Sequence, residues 1–158
     1  EMTSSLVGSE MCIRDRSNRE RYEGFCQALM DAGKTPNPSL CLTTPLGIDS
    51  YREEIDSFLS SLSRMPDAFV CASDYVACIL MQLLEKRGLR VPEDVAVSGF
   101  DNNIEDLLAE NLTTVQVFNE ELGSRLALQI LYRIKYPHTP HEVTYLESKV
   151  LYRASTGD

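Results

Sequence analysis

The sequence has no tryptophan and only two histidines in 158 residues, and this scarcity limits the catalytic chemistry open to it. His138 and His141 lie together in "YPHTPHE", where Glu142 is the one nearby residue that could join them as a metal ligand. A proline-punctuated loop is the favoured interpretation of that stretch. No second histidine region is present to complete a nucleophile, base and orienting group. The sequence therefore predicts no metal site, no cofactor and no enzyme.

Glycine-rich loops and serine-nucleophile motifs are also missing. A phosphate-binding loop needs backbone N–H groups exposed by several glycines, and neither G-x-G-x-x-G nor the Walker pattern occurs. The hydrolase elbow G-x-S-x-G is absent, because "VSGFD" places Ser98 inside a strand rather than at a sharp turn. These absences argue against nucleotide binding and serine hydrolysis.

Long apolar runs and an excess of basic residues are lacking as well. No run is long enough to span a bilayer, so the sequence predicts no membrane association. The net charge of -9 argues against direct nucleic-acid contact by these residues, since phosphates demand a basic face. The five cysteines are an odd number without paired spacing. We predict buried, reduced thiols at Cys26, Cys41, Cys71 and Cys78, as in a cytoplasmic protein.

The first residues of the chain fit no structural pattern. The run Leu6 to Asp15, "LVGSEMCIRD", reads back codon by codon as a transposase adapter used to prepare sequencing libraries. We therefore predict that residues 1–16 are a non-native, adapter-derived segment and exclude them from the fold prediction. Native sequence is expected to begin near Ser17. The alternative is a genuine irregular N-terminus.

Helical and strand patterns alternate along the rest of the chain. Apolar residues at spacings of three and four predict helices over 19–32, 48–63, 75–87 and 119–135, with Asp74 as the N-cap of the third. Strands are predicted at "SLCLTT", "MPDAFVCA", "DVAVSGF", "TTVQV", "EVTYL" and "KVLYR". This alternation predicts an α/β fold with a parallel sheet and helices on both faces.

Ligands of such sheets bind beyond the carboxyl ends of the strands. That rule selects three polar places in this chain. They are Thr43 and Thr44, Ser73 and Asp74, and Asp101 and Asn102. All carry short side chains that can hydrogen-bond a small polar molecule.

One set of motifs has a recognisable order and spacing: "PDAFVCASDYVACILMQLLEKRGLRVPEDVAVSGFDN", then "LTTVQVFNEELG", then "LYRASTG". These pieces resemble the effector-binding domain of the lactose-repressor (LacI/GalR) family of bacterial transcription regulators, from Arg19 to Gly157. The resemblance implies a periplasmic-binding-protein-like fold of type I, in which two similar α/β subdomains hold an effector in the cleft between them.

Matched to that family, residues 17–158 are a partial effector-binding domain, mostly the C-terminal subdomain. Residues 119–135 match a helix of a missing N-terminal subdomain. Their apolar stripe would then lack its partner, and the fragment is expected to associate or aggregate. The stripe consists of Leu122, Leu126, Ile130 and Ile134.

The resemblance implies three effector contacts, Arg21, Ser73 and Asp101. Asp101 matches a family aspartate that accepts hydrogen bonds from a sugar or purine, with an Asx turn as the alternative. Arg21 matches an arginine that reaches the effector, with an exposed first-turn arginine as the alternative. Many relatives carry asparagine at the position of Ser73, so its contact stays open.

Two aromatic residues near these contacts, Phe100 and Tyr75, could stack on a sugar, although core packing is favoured for both.

The function implied is ligand sensing: a small effector, expected to be a carbohydrate, controls operator binding by a missing N-terminal helix-turn-helix. A homodimer is expected, with candidate contacts at 75–87 and Ile104 to Leu108. Two alternatives are a periplasmic or extracellular sugar-binding protein of the same architecture and an enzyme on a similar sheet. The first would carry a signal peptide, and the second would need a base that the sequence does not offer.

Overall fold

The computed structural model describes residues 4–9, 16–45, 50–103 and 109–157. Its main sheet contains four parallel strands in the order β2-β1-β3-β4. The strands are β1 (Ser4–Ser9), β2 (Cys41–Pro45), β3 (Ala68–Cys71) and β4 (Ala96–Ser98). The helices are α1 (Arg16–Asp31), α2 (Tyr51–Ser61), α3 (Asp74–Lys86) and α4 (Asn119–Lys135). The predicted α/β class with a parallel sheet is confirmed.

Strand β1 lies in the segment that the sequence analysis excluded. It runs between β2 and β3, with Leu6 opposite both Cys41 and Val70. The Ser5 hydroxyl is fully buried and donates to the Leu40 carbonyl. Excluding this segment from the fold is therefore wrong for Ser4–Ser9, where β1 occupies the place of the first strand that the family resemblance implies before Arg19. The adapter origin of the segment stays a prediction.

The core lies where α2 and α3 pack on one face of the sheet. Helix α3 contributes the largest share, because its apolar residues cover most of its circumference. Phe69 of β3 and Val97 of β4 are register partners, and both are buried beneath it. Gly88 ends the helix region with a φ of 75°, a left-handed conformation that glycine adopts without steric cost.

Beyond β4 the chain leaves the main sheet and returns to it. Strand β5 (Thr114–Gln116) leads into α4, and the antiparallel strand β6 (Lys149–Leu151) brings the chain back. The strand predicted at "EVTYL" is wrong, since residues 141–148 have no regular structure. Val143 and Tyr145 there are 76% and 81% exposed.

Helix α4 has the bounds predicted for it and buries none of its residues. The predicted apolar stripe is exposed along its whole length, from Leu122 at 50% to Ile134 at 73%. Among the described residues, no helix has both the length and the apolar character to cross a membrane.

The C-terminal tail is joined to β4 and β5 through hydroxyl groups. The buried Ser155 hydroxyl donates to the Val97 carbonyl at 2.6 Å and accepts from the Thr113 amide at 2.8 Å. The Thr113 hydroxyl in turn accepts from the Arg153 amide at 2.8 Å. The "R-x-S-T" ending thus closes the fold after the excursion through α4.

The cysteines divide into two classes by burial. None of the four described cysteines forms a disulfide: Cys71 and Cys78 are buried, as predicted, whereas Cys26 and Cys41 are only half-buried. Burial raises the pKa of the Cys71 thiol, with smaller contributions from Cys78 and Asp74. The thiolate is the reactive form, so the two classes differ in reactivity.

We therefore expect iodoacetamide to alkylate Cys26 and Cys41 of the native protein well before Cys71 and Cys78. Timed quenching followed by peptide mass spectrometry measures each site. In concentrated urea the four rates should converge, which serves as the control. Equal rates at Cys71 and Cys26 in the native protein would contradict the described core.

Candidate functional site

The three predicted effector contacts come together at the carboxyl edge of the main sheet. Arg21 lies on α1, Ser73 joins β3 to α3, and Asp101 follows β4. One guanidinium nitrogen of Arg21, Nη1, donates to the Ala72 carbonyl at 2.6 Å, and the other, Nη2, lies 3.8 Å from Asp101 Oδ1. A cation and a carboxylate thus face the same small volume next to Ser73.

Arg21 is held in place from two sides. Its guanidinium carbon lies 4.0 Å from the centroid of the Phe100 ring, a cation–π distance. On the other side, the guanidinium donates a hydrogen bond to the Ala72 carbonyl. The side chains of Arg21 and Asp101 remain 29% and 39% exposed, so a ligand can reach both. Arg21 is therefore not the freely exposed first-turn arginine of the alternative interpretation.

The two aromatic residues differ in their surroundings. Phe100 is half-buried beneath the Arg21 guanidinium. Tyr75 is 51% exposed and makes an edge contact with Tyr51, with ring centroids 5.7 Å apart. Core packing was therefore wrong for Tyr75.

Ser73 is the N-cap of α3, a role that the sequence analysis gave to Asp74. The Ser73 hydroxyl accepts from the Val76 amide at 3.4 Å, and its φ and ψ are extended, as an N-cap requires. Asp74 is the first helical residue instead. The assignment of the cap to Asp74 was wrong by one position, because both residue types cap helices well.

The Asp74 carboxyl group is 3% exposed and joins three elements. It accepts from the Thr114 hydroxyl at 2.6 Å and from the Asn103 amide at 3.3 Å. The Asp74 amide donates to the Phe100 carbonyl at 2.9 Å. This group links α3 to β5 and to the loop that carries Asp101.

Gly99 makes that arrangement possible. A Cβ atom at this position would lie 2.2 Å from Asp74 Oδ1 and 2.9 Å from a methyl carbon of Leu112. Because no side chain fits there, glycine is required between the buried carboxyl group and β5. The glycine of "VSGFD" is therefore explained by packing.

Asp101 has an unusual backbone conformation. Its φ is 103°, which an L-residue rarely adopts, and the next residue, Asn102, has a φ of 50°. The Asp101 amide donates to the Val115 carbonyl at 3.0 Å, which ties the loop to β5. Left-handed residues of this kind cluster at ligand sites, where surrounding contacts hold them.

A network around Asn102 extends the site toward β5 and the tail. The Asn102 side-chain amide donates to the Gln116 side chain, and its oxygen accepts from Arg153 Nη2 at 2.9 Å. Arg153 Nη1 donates to the Leu112 carbonyl at 3.0 Å. The sequence analysis selected Asn102 but missed both partners, which lie far from it in sequence.

An open cavity of about 500 Å³ lies beside this network, between the Asp101 loop and the start of α4. Its lining is largely polar and includes Asn102, Gln116 and Glu120. Phe118 also lines it and is 47% exposed. Amides, carboxylates and an aromatic ring are groups that hydrogen-bond and stack on small polar molecules.

The third predicted place lies farther away. Thr43 lies in β2, and β1 separates that strand from β3 and Ser73. The side chain of Thr44 lies outside the described residues. His138 and His141 are exposed, and no three His, Cys, Asp or Glu side chains in the described ranges are placed to hold a metal ion.

The family profile of the periplasmic binding protein-like domain matches residues 6–156. The chain belongs to this family. The curated relatives and solved structures described next confirm the predicted resemblance to LacI-type effector-binding domains.

Among curated relatives, the transcriptional repressor PurR of Aliivibrio fischeri strain MJ11 is 31% identical over 150 residues, covering 91% of this chain and 44% of the relative. The ribose operon repressor of Haemophilus influenzae is 30% identical over 138 residues, covering 87% and 41%. The chain thus spans less than half the length of these relatives. Both relatives are transcriptional repressors.

Solved structures agree with the fold. A LacI-family transcriptional regulator from Sanguibacter keddieii superimposes with a TM-score of 0.82 at 26% identity, covering 99% of this chain and 58% of that one. The complex of the transcriptional regulator CelR with cellobiose gives a TM-score of 0.79 at 27% identity, with coverage of 98% and 46%. The periplasmic binding protein-like fold of this chain is therefore established.

Replacing Asp74 by Ala should destabilise the protein by about 1–3 kcal/mol, because the buried Thr114 hydroxyl loses its acceptor. Gly99→Ala should also destabilise, since its new Cβ meets the same carboxyl oxygen. The two costs should add only in part, because removing the carboxyl group relieves the closest contact of the new Cβ and leaves the one with Leu112. Urea denaturation followed by circular dichroism measures all three variants. Additive costs in the double variant would contradict the described packing.

Proposed function

We propose that this chain is the ligand-sensing part of a LacI-type bacterial transcription regulator and binds a small carbohydrate effector at Arg21, Ser73 and Asp101. The observation that carries the proposal is the meeting of Arg21 and Asp101 at the carboxyl edge of a parallel sheet, where ligands of such folds bind. Membership in the periplasmic binding protein-like family supports the proposal, because these three residues were selected by resemblance to the effector-binding domains of LacI-type regulators.

A carbohydrate suits the chemistry of this site. A carboxylate accepts hydrogen bonds from two hydroxyl groups, and a guanidinium donates to ring and hydroxyl oxygens in a fixed geometry. The Arg21 guanidinium is oriented by Phe100 and by the Ala72 carbonyl before any ligand arrives. The cellobiose bound to the CelR relative supports the same ligand class.

The proposed mechanism is a change in the relative orientation of two subdomains. Helix α4, which buries no residue, is proposed to belong to the second, N-terminal subdomain, connected to the main sheet through β5 and β6. An effector that contacts both subdomains favours one orientation over the other. It can act only through unequal affinity for the two arrangements.

DNA binding is proposed to reside in an N-terminal helix-turn-helix of the whole protein, which would act in the cytoplasm. The net negative charge of the 158 residues supports this proposal, because an acidic domain suits ligand sensing better than contact with DNA phosphates. A homodimer is proposed as well. Because most of α3 is buried in the core, its candidate dimer contacts are limited to exposed residues such as Tyr75. Residues Ile104 to Leu108, the other candidate contact, lie outside the described residues.

The alternative role in sugar transport has less support than the regulatory one. The curated relatives named above are repressors, and the transport reading rests on shared architecture alone. Fold does not decide function within such an architecture.

Sequencing the source DNA upstream of the Ser17 codon tests the regulator directly. We expect an in-frame extension that opens with a helix-turn-helix in place of the adapter-like codons. A secretory signal there would move the protein to the transport class. An intact genomic "LVGSEMCIRD" would overturn the adapter prediction.

With the whole protein in hand, a thermal-shift screen can begin with cellobiose and D-ribose, followed by calorimetry on the sugar that binds. Asp101→Ala should weaken binding by about 10- to 100-fold, as for a lost charged hydrogen bond. Arg21→Ala should weaken it as well. Asp94→Ala, which removes an exposed carboxylate paired with Arg90, is the matched control and should leave affinity unchanged. Wild-type affinity in Asp101→Ala would rule out the proposed contact.

A further inference from the structure

We infer that Asn102 is a positioning residue, which directs the Asp101 carboxylate and couples it to the β5–β6 pair; this role rests on the proposed function of Asp101. The two residues are consecutive, and both have left-handed backbones, with φ values of 103° and 50°. A backbone of this kind persists only where neighbouring contacts determine it. Backbone hydrogen bonds contribute here, from the Asp101 amide to the Val115 carbonyl and from the Asn102 amide to the Thr114 hydroxyl, and the Asn102 side chain adds two more.

Both ends of the Asn102 amide group are used. Its nitrogen donates to Gln116, the last residue of β5, and its oxygen accepts from Arg153, which follows β6 by two residues. An asparagine suits this place because its side-chain amide offers a donor and an acceptor on the same planar group. Aspartate would keep the acceptor for Arg153 and lose the donor for Gln116.

The chain path gives this bridge its consequence. Strand β5 leads out to α4 and β6 leads back, so these two strands are the connections between the main sheet and that helix. A shift of β5 against β6 changes the distance between Gln116 and Arg153, and both hold the same side chain. Such a shift therefore alters the turn at Asn102 and the direction of Asp101. By reciprocity, a ligand that favours one direction of the carboxylate favours one arrangement of the strands.

Amide hydrogen exchange on the 158-residue chain tests this without an effector. The Asp101 amide donates to the Val115 carbonyl, and the Gly99 amide donates to the Thr113 carbonyl at 2.8 Å as an internal reference on the same ladder. In Asn102→Gly, which removes the bridge and tolerates the left-handed backbone, protection of the Asp101 amide should fall by roughly fivefold. Protection of the Gly99 amide should stay unchanged.

Two further variants separate positioning from general loosening of the loop. Asn103→Gly introduces the same backbone freedom one residue later and should leave Asp101 protection near the wild-type value. Gln116→Ala breaks one arm of the bridge from the β5 side, keeps Asn102 in place and should lower the same protection. The effect of Gln116→Ala should vanish in the Asn102→Gly background, because the hydrogen bond between the two side chains is already absent there.

The carboxyl carbon resonance of Asp101 supplies the second readout. It should move in Asn102→Gly and in Gln116→Ala and stay in place in Asn103→Gly. An unchanged resonance with unchanged Asp101 protection in Asn102→Gly would overturn the inference, as would an equal loss of protection at Gly99. Since no ligand is involved, failure here leaves the proposed effector contact standing, and failure of sugar binding leaves this result intact.

Discussion

The buried carboxyl group of Asp74 is the constraint on which the ligand-facing edge of this fold depends. Taking such a group out of water is costly unless hydrogen bonds replace those of the solvent, and Thr114 and the Asn103 amide provide them. Its close approach to β5 is possible because Gly99 has no side chain. The backbone amide of Asp74 also donates to the Phe100 carbonyl, so the residue just before Asp101 is placed by the same residue.

From that anchor the site is built outward by progressively more exposed polar groups. Phe100 carries the Arg21 guanidinium on its ring, and Asp101 follows with a backbone that its neighbours hold in an uncommon conformation. The buried part of the network is satisfied internally, whereas Arg21 and Asp101 keep about a third of their surface in water. Partly exposed groups that are held by buried, hydrogen-bonded neighbours lose little conformational entropy when a ligand binds.

Local pattern was enough to predict the helices, the sheet class and the residues at strand ends. Helix α4 was placed with its true bounds because an apolar stripe, acidic residues in its first turn and basic residues in its last coincide. Two errors are local: "EVTYL" has a strand-like composition without forming a strand, and the adjacent Ser73 and Asp74 both suit the cap of α3. Other features are non-local, since strand β1 forms through pairing with two strands distant in sequence. The partners Asn102 and Arg153 are 51 residues apart, and no periodicity connects them.

The geometry between Arg21 and Asp101 is compatible with an ordered site and with the proposed ligand binding. At 3.8 Å the Nη2 to Oδ1 distance is beyond a hydrogen bond, and partial exposure lets water screen the pair, so their mutual attraction is weak. In the proposed complex, a ligand hydroxyl that hydrogen-bonds to both groups replaces only this weak attraction. Had the two side chains formed a short, buried pair, a ligand would have had to break it. The hydrogen bond from Arg21 Nη1 to the Ala72 carbonyl uses a different nitrogen from the one that faces Asp101, so it can hold the guanidinium in place when a ligand binds.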